Sequence, residues 1–555
     1  MQNGSDQTEA RLADLRAREE EDLARTLSQK YGVGYHDLTR VSINTDALRL
    51  VPEDTAREAE VAAFDVVGKK LSLAVRSPQH PKISSVLEML KNNNFTIDMY
   101  MVSRASLERA WERYKDLSFA IETKEGVFDI SSKELAEAMA SFKTTEDVVA
   151  AIEDVRGLKK AYRISKILEV VLAGSLAIGA SDVHIEPEEE RVRMRYRLDG
   201  VLNDVTHFDE ETYKLLLSRI KLLSGLKLNV RDRAQDGRFS IEMNDSEIEI
   251  RTSIIPGAYG ESIVMRILNP EAISVSFEQL GMEPALEKMV LDEIKKPNGM
   301  LLTTGPTGSG KTTTLYACLK KIHSPNVKII TIEDPIEYHL NGIVQTQVDK
   351  HYTFIGGLRS ALRQDPDVIM IGEIRDADVA RTAVDSALTG HFVFSTLHTN
   401  NAAGAFPRLA DFDIDLKVAG SAISVVLAQR LVRKLCPDCK KEVPLEEAMK
   451  ARIETIVSHI RNKAMVPKNT SVVYEPVGCA TCNNTGFKGR IGIFEGIIVD
   501  KEIDHFVRNN PSERDIQDIQ KQRELLTMPE DGVVKVLNGT TSLDELTRVV
   551  SLEDW

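Results

Sequence analysis

The stretch Gly305-Pro306-Thr307-Gly308-Ser309-Gly310-Lys311-Thr312 has the spacing G-x4-G-K-[ST], and Thr313 follows it. These residue types at this spacing can hold the phosphates of a nucleoside triphosphate. Glycines let backbone N–H groups come close to phosphate oxygens and allow the φ > 0 turns that a Cβ would resist. In this chemistry Lys311 reaches the β- and γ-phosphates, and the Thr312 hydroxyl offers one position to Mg²⁺. Acidic residues follow at two places. Residues 327–332 (VKIITI) read as a short apolar strand ending in Glu333-Asp334-Pro335-Ile336-Glu337, and 368–371 as a second ending in Gly372-Glu373. In open α/β sheets ligands sit at the carboxyl ends of parallel strands, so both groups should converge on the mouth of the loop. Hydrolysis needs one carboxylate for Mg²⁺ and another to orient or deprotonate water. Strand capping would explain Glu333 or Asp334 singly, but not the set. His391 and His398 flank a further apolar strand. A lone histidine there reads as structural; beside a phosphate loop, either is a γ-phosphate sensor candidate.

The elements that must position these groups are visible around them. Met300, Leu301 and Leu302 lead into the glycines as a strand, and Leu315, Leu319 and Ile322 leave them at helical spacing, so the helix N-terminus faces the phosphate. Upstream, Arg191, Arg193, Arg195 and Arg197 alternate with Val192, Met194, Tyr196 and Leu198 before an Asp199-Gly200 turn. That is a half-buried strand entering a hairpin. A second hairpin spans 238–254 with its turn at Asn244-Asp245, and alternation puts Arg251 with Glu247 and Glu249 on the exposed face. The arginine row has two readings. One is a solvated sheet face; the other is that some arginines reach phosphate from outside the loop, a contribution worth about 10³–10⁵ in rate.

At 555 residues the chain has room for roughly three to four domains. A formal net charge of -14 repels nucleic acid and anionic lipid on average. No apolar run reaches the roughly 18 residues needed to cross a bilayer, and residues 1–30 are charged rather than signal-like, so a cytosolic protein is expected. Four of the five cysteines fall in two C-x2-C pairs, Cys436/Cys439 and Cys479/Cys482, which suits a reduced compartment and a metal site better than disulfides. Cys318, on the helix after the glycines, is expected to be a buried thiol. Residues 1–30 read as a charged helical arm, 31–115 as a small α/β domain, and 116–160 as a linker with a helix or two.

The runs GPTGSGKTTT, TIEDPIEY, GLRSALRQDPDVIMIGEIRD and TGHFVFSTLHTNNAAGA resemble the secretion ATPase superfamily, specifically the GspE/PilB-like ATPases of type II secretion and type IV pilus assembly. The similarity extends upstream to GASDVHIEP, RYRLDG and RAQDGRFS, and downstream to AQRLVRKLCPDC, GRIGIFEG and GTTSLDEL. The resemblance implies a multidomain α/β protein. Its parts would be an N-terminal partner-docking domain (31–115), a PAS-like domain (161–275), a RecA-like P-loop ATPase core (276–435), a tetracysteine subdomain (436–490) and a C-terminal helical region (491–555). It further implies a homo-hexamer that hydrolyses ATP with Mg²⁺. Such a ring would work on an inner-membrane platform protein through a cytoplasmic recruitment partner, peripheral to the inner face of the membrane. By motif position Glu337 would be the catalytic carboxylate and Glu373 the Walker B glutamate that helps to hold Mg²⁺, while His391 and His398 lie in the histidine motif. Arg251 and Arg266, then Arg359 and Arg363, would approach the phosphates or line the subunit interface. The four paired cysteines match the family's tetracysteine motif, and two thiolate knuckles suit a closed, tetrahedral, structural Zn²⁺.

Two departures stand out. The N-terminus lacks the RLG-type repeat of relatives that bind cyclic di-GMP, so that ligand is not expected, and Asp411-Phe412-Asp413 stands where the family has a Met-Gly pair. A rival reading, a RecA-like nucleic-acid motor, is disfavoured by the acidic balance and the lack of an aromatic-plus-basic strand-binding stretch. A third, a non-catalytic ring scaffold, conflicts with the intact Lys311, Glu337 and Glu373.

Overall fold

The computed structural model describes residues 19–552 apart from 40, 42, 45–46, 49, 68, 93–94, 117–120, 123–127, 130–131, 157–159, 244–245 and 270–274. Of the expected N-terminal arm, 1–18 lie outside the described residues and 19–31 are helical. This helix is docked rather than solvated. The Glu21 carboxylate accepts hydrogen bonds from the Tyr35 hydroxyl at 2.5 Å, from Ser106 at 3.2 Å and from Ser103, and Ala24 is buried. It packs on a four-stranded sheet in the order Gly34–Tyr35, Thr96–Met101, Lys70–Val75, Val61–Val67, whose Leu71, Leu73 and Val75 form the inner face.

A six-stranded antiparallel sheet follows, in the order Gln235–Met243, Ser246–Gly257, Gly260–Leu268, Asp182–Pro187, Val192–Leu198, Val201–Phe208. Both expected hairpins are present, with the 244–245 turn outside the described residues. Alternation works as read: Val192, Met194, Tyr196 and Leu198 are buried while the intervening arginines are partly exposed. The expected linker 116–160 differs in one respect. Val148, Ile152 and Val155 recur at helical spacing along the helix Thr145–Arg156, and all three are buried in the same core as Tyr196, Ile241 and the helix Lys160–Ala177. An apolar face of three side chains is enough to dock a helix of twelve residues, so this part of 116–160 belongs to the six-stranded unit.

The third unit is a seven-stranded sheet in the order Val344–Gln347, Ile329–Glu333, Val368–Ile371, Phe392–Leu397, Gly299–Thr304, Ile423–Leu435, Phe487–Ile498. The first six are parallel to their neighbours and the last is antiparallel. Strands buried on both faces read as unbroken apolar runs, and Val368–Ile371 and Phe392–Leu397 are buried at every position. Phe487–Ile498 crosses the 490/491 division expected from sequence, because Ile493, Phe494 and Ile497 are needed in the core. The C-terminal helices therefore begin only at Lys501.

The last helix, Leu543–Val549, is fastened to that sheet by one carboxylate. Glu545, with a side chain 0 % exposed, accepts from the backbone N–H of Arg433 at 3.0 Å, from its guanidinium at 2.7 and 3.0 Å, and from Arg548 at 2.6 Å. Burial alone would raise this carboxyl, but the hydrogen bonds from Arg548 and Arg433 outweigh it and bring it down to about 2. Since the folded value lies below the unfolded one of about 4.3, the stabilisation is complete above that pH and is lost as pH falls towards 2. Glu545→Gln should destabilise the fold by about 3 kcal/mol at pH 7, because two guanidinium groups lose a buried partner. In chemical denaturation the gap between variant and wild type should close between about pH 4 and 2; a constant gap would dismiss the carboxylate as its source.

Candidate functional site

The P-loop joins the strand Gly299–Thr304 to the helix Lys311–Ile322. Its glycines are demanded by close approach. At Gly310, with φ of 90°, a Cβ would come within 2.7 Å of Gln429 Nε2, and at Gly305 within 2.6 Å of the Gln429 carbonyl. Gln429 is itself fixed by the Thr314 hydroxyl, which donates to its Oε1 at 2.7 Å. Lys311 Nζ donates to the carbonyls of Gly305 at 2.8 Å and Pro306 at 3.1 Å. Burial holds its ammonium below the usual lysine range, with the Glu373 carboxylate only partly opposing. Ser309 Oγ is buried without a protein partner, a donor suited to a phosphate oxygen.

Residues Pro306 to Thr313 form one wall of a cavity of about 750 Å³, and Glu333, Asp334, Glu337, Glu373 and His398 line it too. The two carboxylate groups thus reach the loop mouth from the carboxyl ends of neighbouring strands, as the chain order implied. Glu373 is paired with Arg375, and its Oε2 lies 3.5 Å from His398 Nε2. The Arg375 bond is the largest reason its carboxyl is lowered. Glu333 is buried and accepts from Thr331 at 2.5 Å, from Gln345 at 3.2 Å and from the Tyr316 hydroxyl. Burial raises its carboxyl, with those donors opposing. Glu337 is different, since its side chain is 35 % exposed and meets Arg251 Nη1 at 3.6 Å. Thr312 and Glu373 together present oxygen ligands on one cavity, which fits a hard divalent cation such as Mg²⁺.

Sequence-predicted residues divide by place. Lys311, Thr312, Glu337, Glu373, His398 and Arg266 line the cavity. Arg251 does not line it. It donates to the Ile336 carbonyl at 2.7 Å and to Glu249 at 2.7 Å, so it holds the segment carrying Glu337 rather than facing the loop. His391 precedes the strand Phe392–Leu397, at the end of this parallel strand opposite the loop mouth, with Nδ1 3.1 Å from the Ser386 carbonyl. Arg359 and Arg363 are exposed on the segment after Thr353 and are not among the cavity residues. Asp182, Arg430, Arg490 and Arg548 also line the cavity, although nothing in residue type or spacing singles them out. Arg430 sits in the run AQRLVRK, where the resemblance was already visible; Arg548 is more than 230 positions from the loop, and only the packing of the last helix brings it there.

The sequence model of the Type II/IV secretion system protein family matches residues 158–548. The chain belongs to this family. It is an ATP-hydrolysing P-loop ATPase of the secretion and pilus type. A second model, the MshEN domain, matches residues 31–120. Among similar proteins, the type II secretion system protein E of Pseudomonas aeruginosa is 41 % identical over 409 residues, covering 73 % of this chain and 79 % of that one. The type IV pilus assembly ATPase PilB of Myxococcus xanthus is 33 % identical over 541 residues, covering 96 % and 92 %. The ATPase DotB of Legionella pneumophila shares the fold, with a TM-score of 0.50 at 20 % identity over 69 % of this chain and 94 % of that one.

In this secretion ATPase the four paired cysteines form one cluster whose Sγ atoms all lie within 4.8 Å of one another. Cys318 is buried elsewhere, its thiol pushed up to about 12 by burial. Among the described residues no helix is long and apolar enough to cross a membrane.

Proposed function

We propose that the chain is a homo-hexameric motor that couples ATP hydrolysis to type IV pilus assembly or type II protein secretion. It would act on an inner-membrane platform protein and be held at the membrane by a cytoplasmic recruitment partner. The observation that carries this is the convergence of Lys311, Glu337 and Glu373 on one cavity, with Arg266 entering from a different sheet. We assign the six-stranded unit, 161–275 with the helix Thr145–Arg156 added, as the PAS-like domain, 276–435 with the strand Phe487–Ile498 as the RecA-like core, the part of 436–490 that precedes this strand as a zinc subdomain, the helices from Lys501 onward as the C-terminal region of 491–555, and 31–115 as the partner-docking domain.

In the reaction, water adds to the γ-phosphorus, the bond to the β,γ-bridging oxygen breaks, and one proton of the water must be taken up. Glu337 is the best placed acceptor, because it reaches the cavity and remains partly exposed. Glu333 is occupied by Tyr316, Thr331 and Gln345. Arg251 holds Glu337 in place, Lys311 and the loop N–H groups bind the phosphates, and His398 beside Glu373 senses the γ-phosphate. Thr312 and Glu373 would hold Mg²⁺, which neutralises charge on the phosphate oxygens. Arg359 and Arg363, exposed and away from the cavity, suit the boundary with a neighbouring subunit, and His391 keeps a structural bond to Ser386.

Deleting the gene should abolish surface filaments or secreted protein, whichever system the motor serves. The wild-type gene should restore the phenotype, and Lys311→Ala should not. Unchanged filaments and unchanged secretion in the deletion strain would sink the reading, and which of the two disappears names the system.

A further inference from the structure

The arginine row of the six-stranded sheet is largely neutralised locally. Arg193 pairs with Asp204 at 2.6 Å and Arg195 with Glu186, and neither lines the nucleotide cavity. Two arginines of this sheet do line it, Arg197 and Arg266, and both converge on one carboxylate. Asp182 lies on the strand between theirs, directly across from Arg197 on one side and from Arg266 on the other. Its oxygens are divided between them. Oδ1 accepts from Arg266 Nε at 3.0 Å, and Oδ2 lies 3.2 Å from Arg197 Nε and accepts from the Ser181 hydroxyl at 2.8 Å.

We infer that Asp182 is a positioning residue for ATP hydrolysis, holding Arg197 and Arg266 at the nucleotide through their Nε groups; this rests on the proposed ATPase function and on Arg266, which enters that cavity, meeting phosphate there. The Asp182 side chain is 4 % exposed, so its charge must be paired to be tolerated. Both of its charged partners are cavity residues. Arg197 is locked further, with Nη1 donating to the Gly200 carbonyl at 3.2 Å and Nη2 3.3 Å from His184. Arg266 has a side chain 63 % exposed, and Asp182 is its ion-pair partner. Arg266, bound at Nε, keeps its two Nη groups for a second acceptor, whereas an unanchored guanidinium samples many rotamers. Anchoring Arg266 therefore fixes in advance the geometry that the transition state needs.

The test is a double-mutant cycle on the full chain, with steady-state ATP hydrolysis measured alongside thermal melting. Asp182→Asn and Arg266→Ala should each lower kcat about tenfold with KM for ATP changed less than about threefold, since the lost bond acts in the transition state. The double variant should also be about tenfold slow, not a hundredfold, because both changes remove one unit. Arg266→Lys retains the charge without the Nε/Nη fork and should be about as slow as Arg266→Ala, a result independent of whether Asp182→Asn folds. Normal kcat in Asp182→Asn with a slow Arg266→Ala would overturn the inference alone, as would multiplicative losses or a near-normal Arg266→Lys. Normal kcat in Arg266→Ala would overturn it together with the reading of Arg266 on which it rests.

Discussion

Glu337→Gln should bind ATP with near wild-type affinity and hydrolyse it at least about a hundredfold more slowly, the lower range for loss of a general base. Glutamine keeps the shape and can still accept a hydrogen bond, but it cannot take the proton that water must lose. The structure makes the substitution clean, because the Glu337 backbone is held independently of its carboxylate. Arg251 Nη2 binds the Ile336 carbonyl at 2.7 Å, and the Glu337 N–H lies 3.4 Å from the Tyr316 hydroxyl. The loss should therefore appear in kcat while nucleotide affinity, which the proposed mechanism assigns to Lys311 and the loop N–H groups, is retained. Equilibrium binding of ATP to the variant, measured beside single-turnover hydrolysis, separates the two. Near-normal turnover would move the base to another carboxylate, with Glu373 next and then Glu333, whose burial and three donors hold it back.

What the sequence disclosed about this site follows from how local each signal is. The P-loop, its flanking strand and helix and the two acidic strand ends are contiguous runs, and the parallel sheet turns their order into convergence. Tyr316 carried no signal, since it occupies an apolar-looking helix position, yet it donates to Glu333 across 17 residues. Arg251 was visible as a charge on an alternating strand, but its target depended on how two units dock, which periodicity does not encode. His391 and His398 looked equivalent as flanks of one strand. A strand has two ends, and in a parallel sheet one of them faces the nucleotide. The helix Thr145–Arg156 looks like linker in the sequence because its apolar stripe is short, and its burial depends on a groove formed by residues far along the chain.

Removing metal from the tetracysteine cluster should cost more stability than any single side-chain change considered above. Neighbouring Sγ pairs lie at 3.9, 3.8 and 3.7 Å for Cys436/Cys479, Cys439/Cys482 and Cys479/Cys482. Tetrahedral ligands at a Zn–S distance of about 2.3 Å have edges of about 3.8 Å, whereas a disulfide needs about 2.05 Å. Backbone N–H groups of Gly478, Cys479 and Gly486 approach these sulfurs at 3.2 to 3.3 Å, the outer-shell bonds that support thiolate charge. All four donors are protein sulfur, so the chemistry is that of a closed structural site. It ties residues 436–439 to 479–482 across an insertion containing the helix Glu447–His459. The cluster also abuts the C-terminal helices, since Lys440 Nζ donates to the Gly539 carbonyl at 2.7 Å and the Leu435 N–H to that of Thr540 at 2.9 Å. Metal-binding free energy in such sites becomes folding free energy, on the order of 10 kcal/mol in small zinc domains. One Zn²⁺ per chain is expected by elemental analysis. Cys479→Ser, or a strong chelator, should lower the melting temperature and expose 436–490 to proteolysis. ATP binding should remain near normal, because the P-loop is carried by a different strand and helix. Metal-free protein with an unchanged melting profile would refute the structural zinc and leave the four thiols as packing residues.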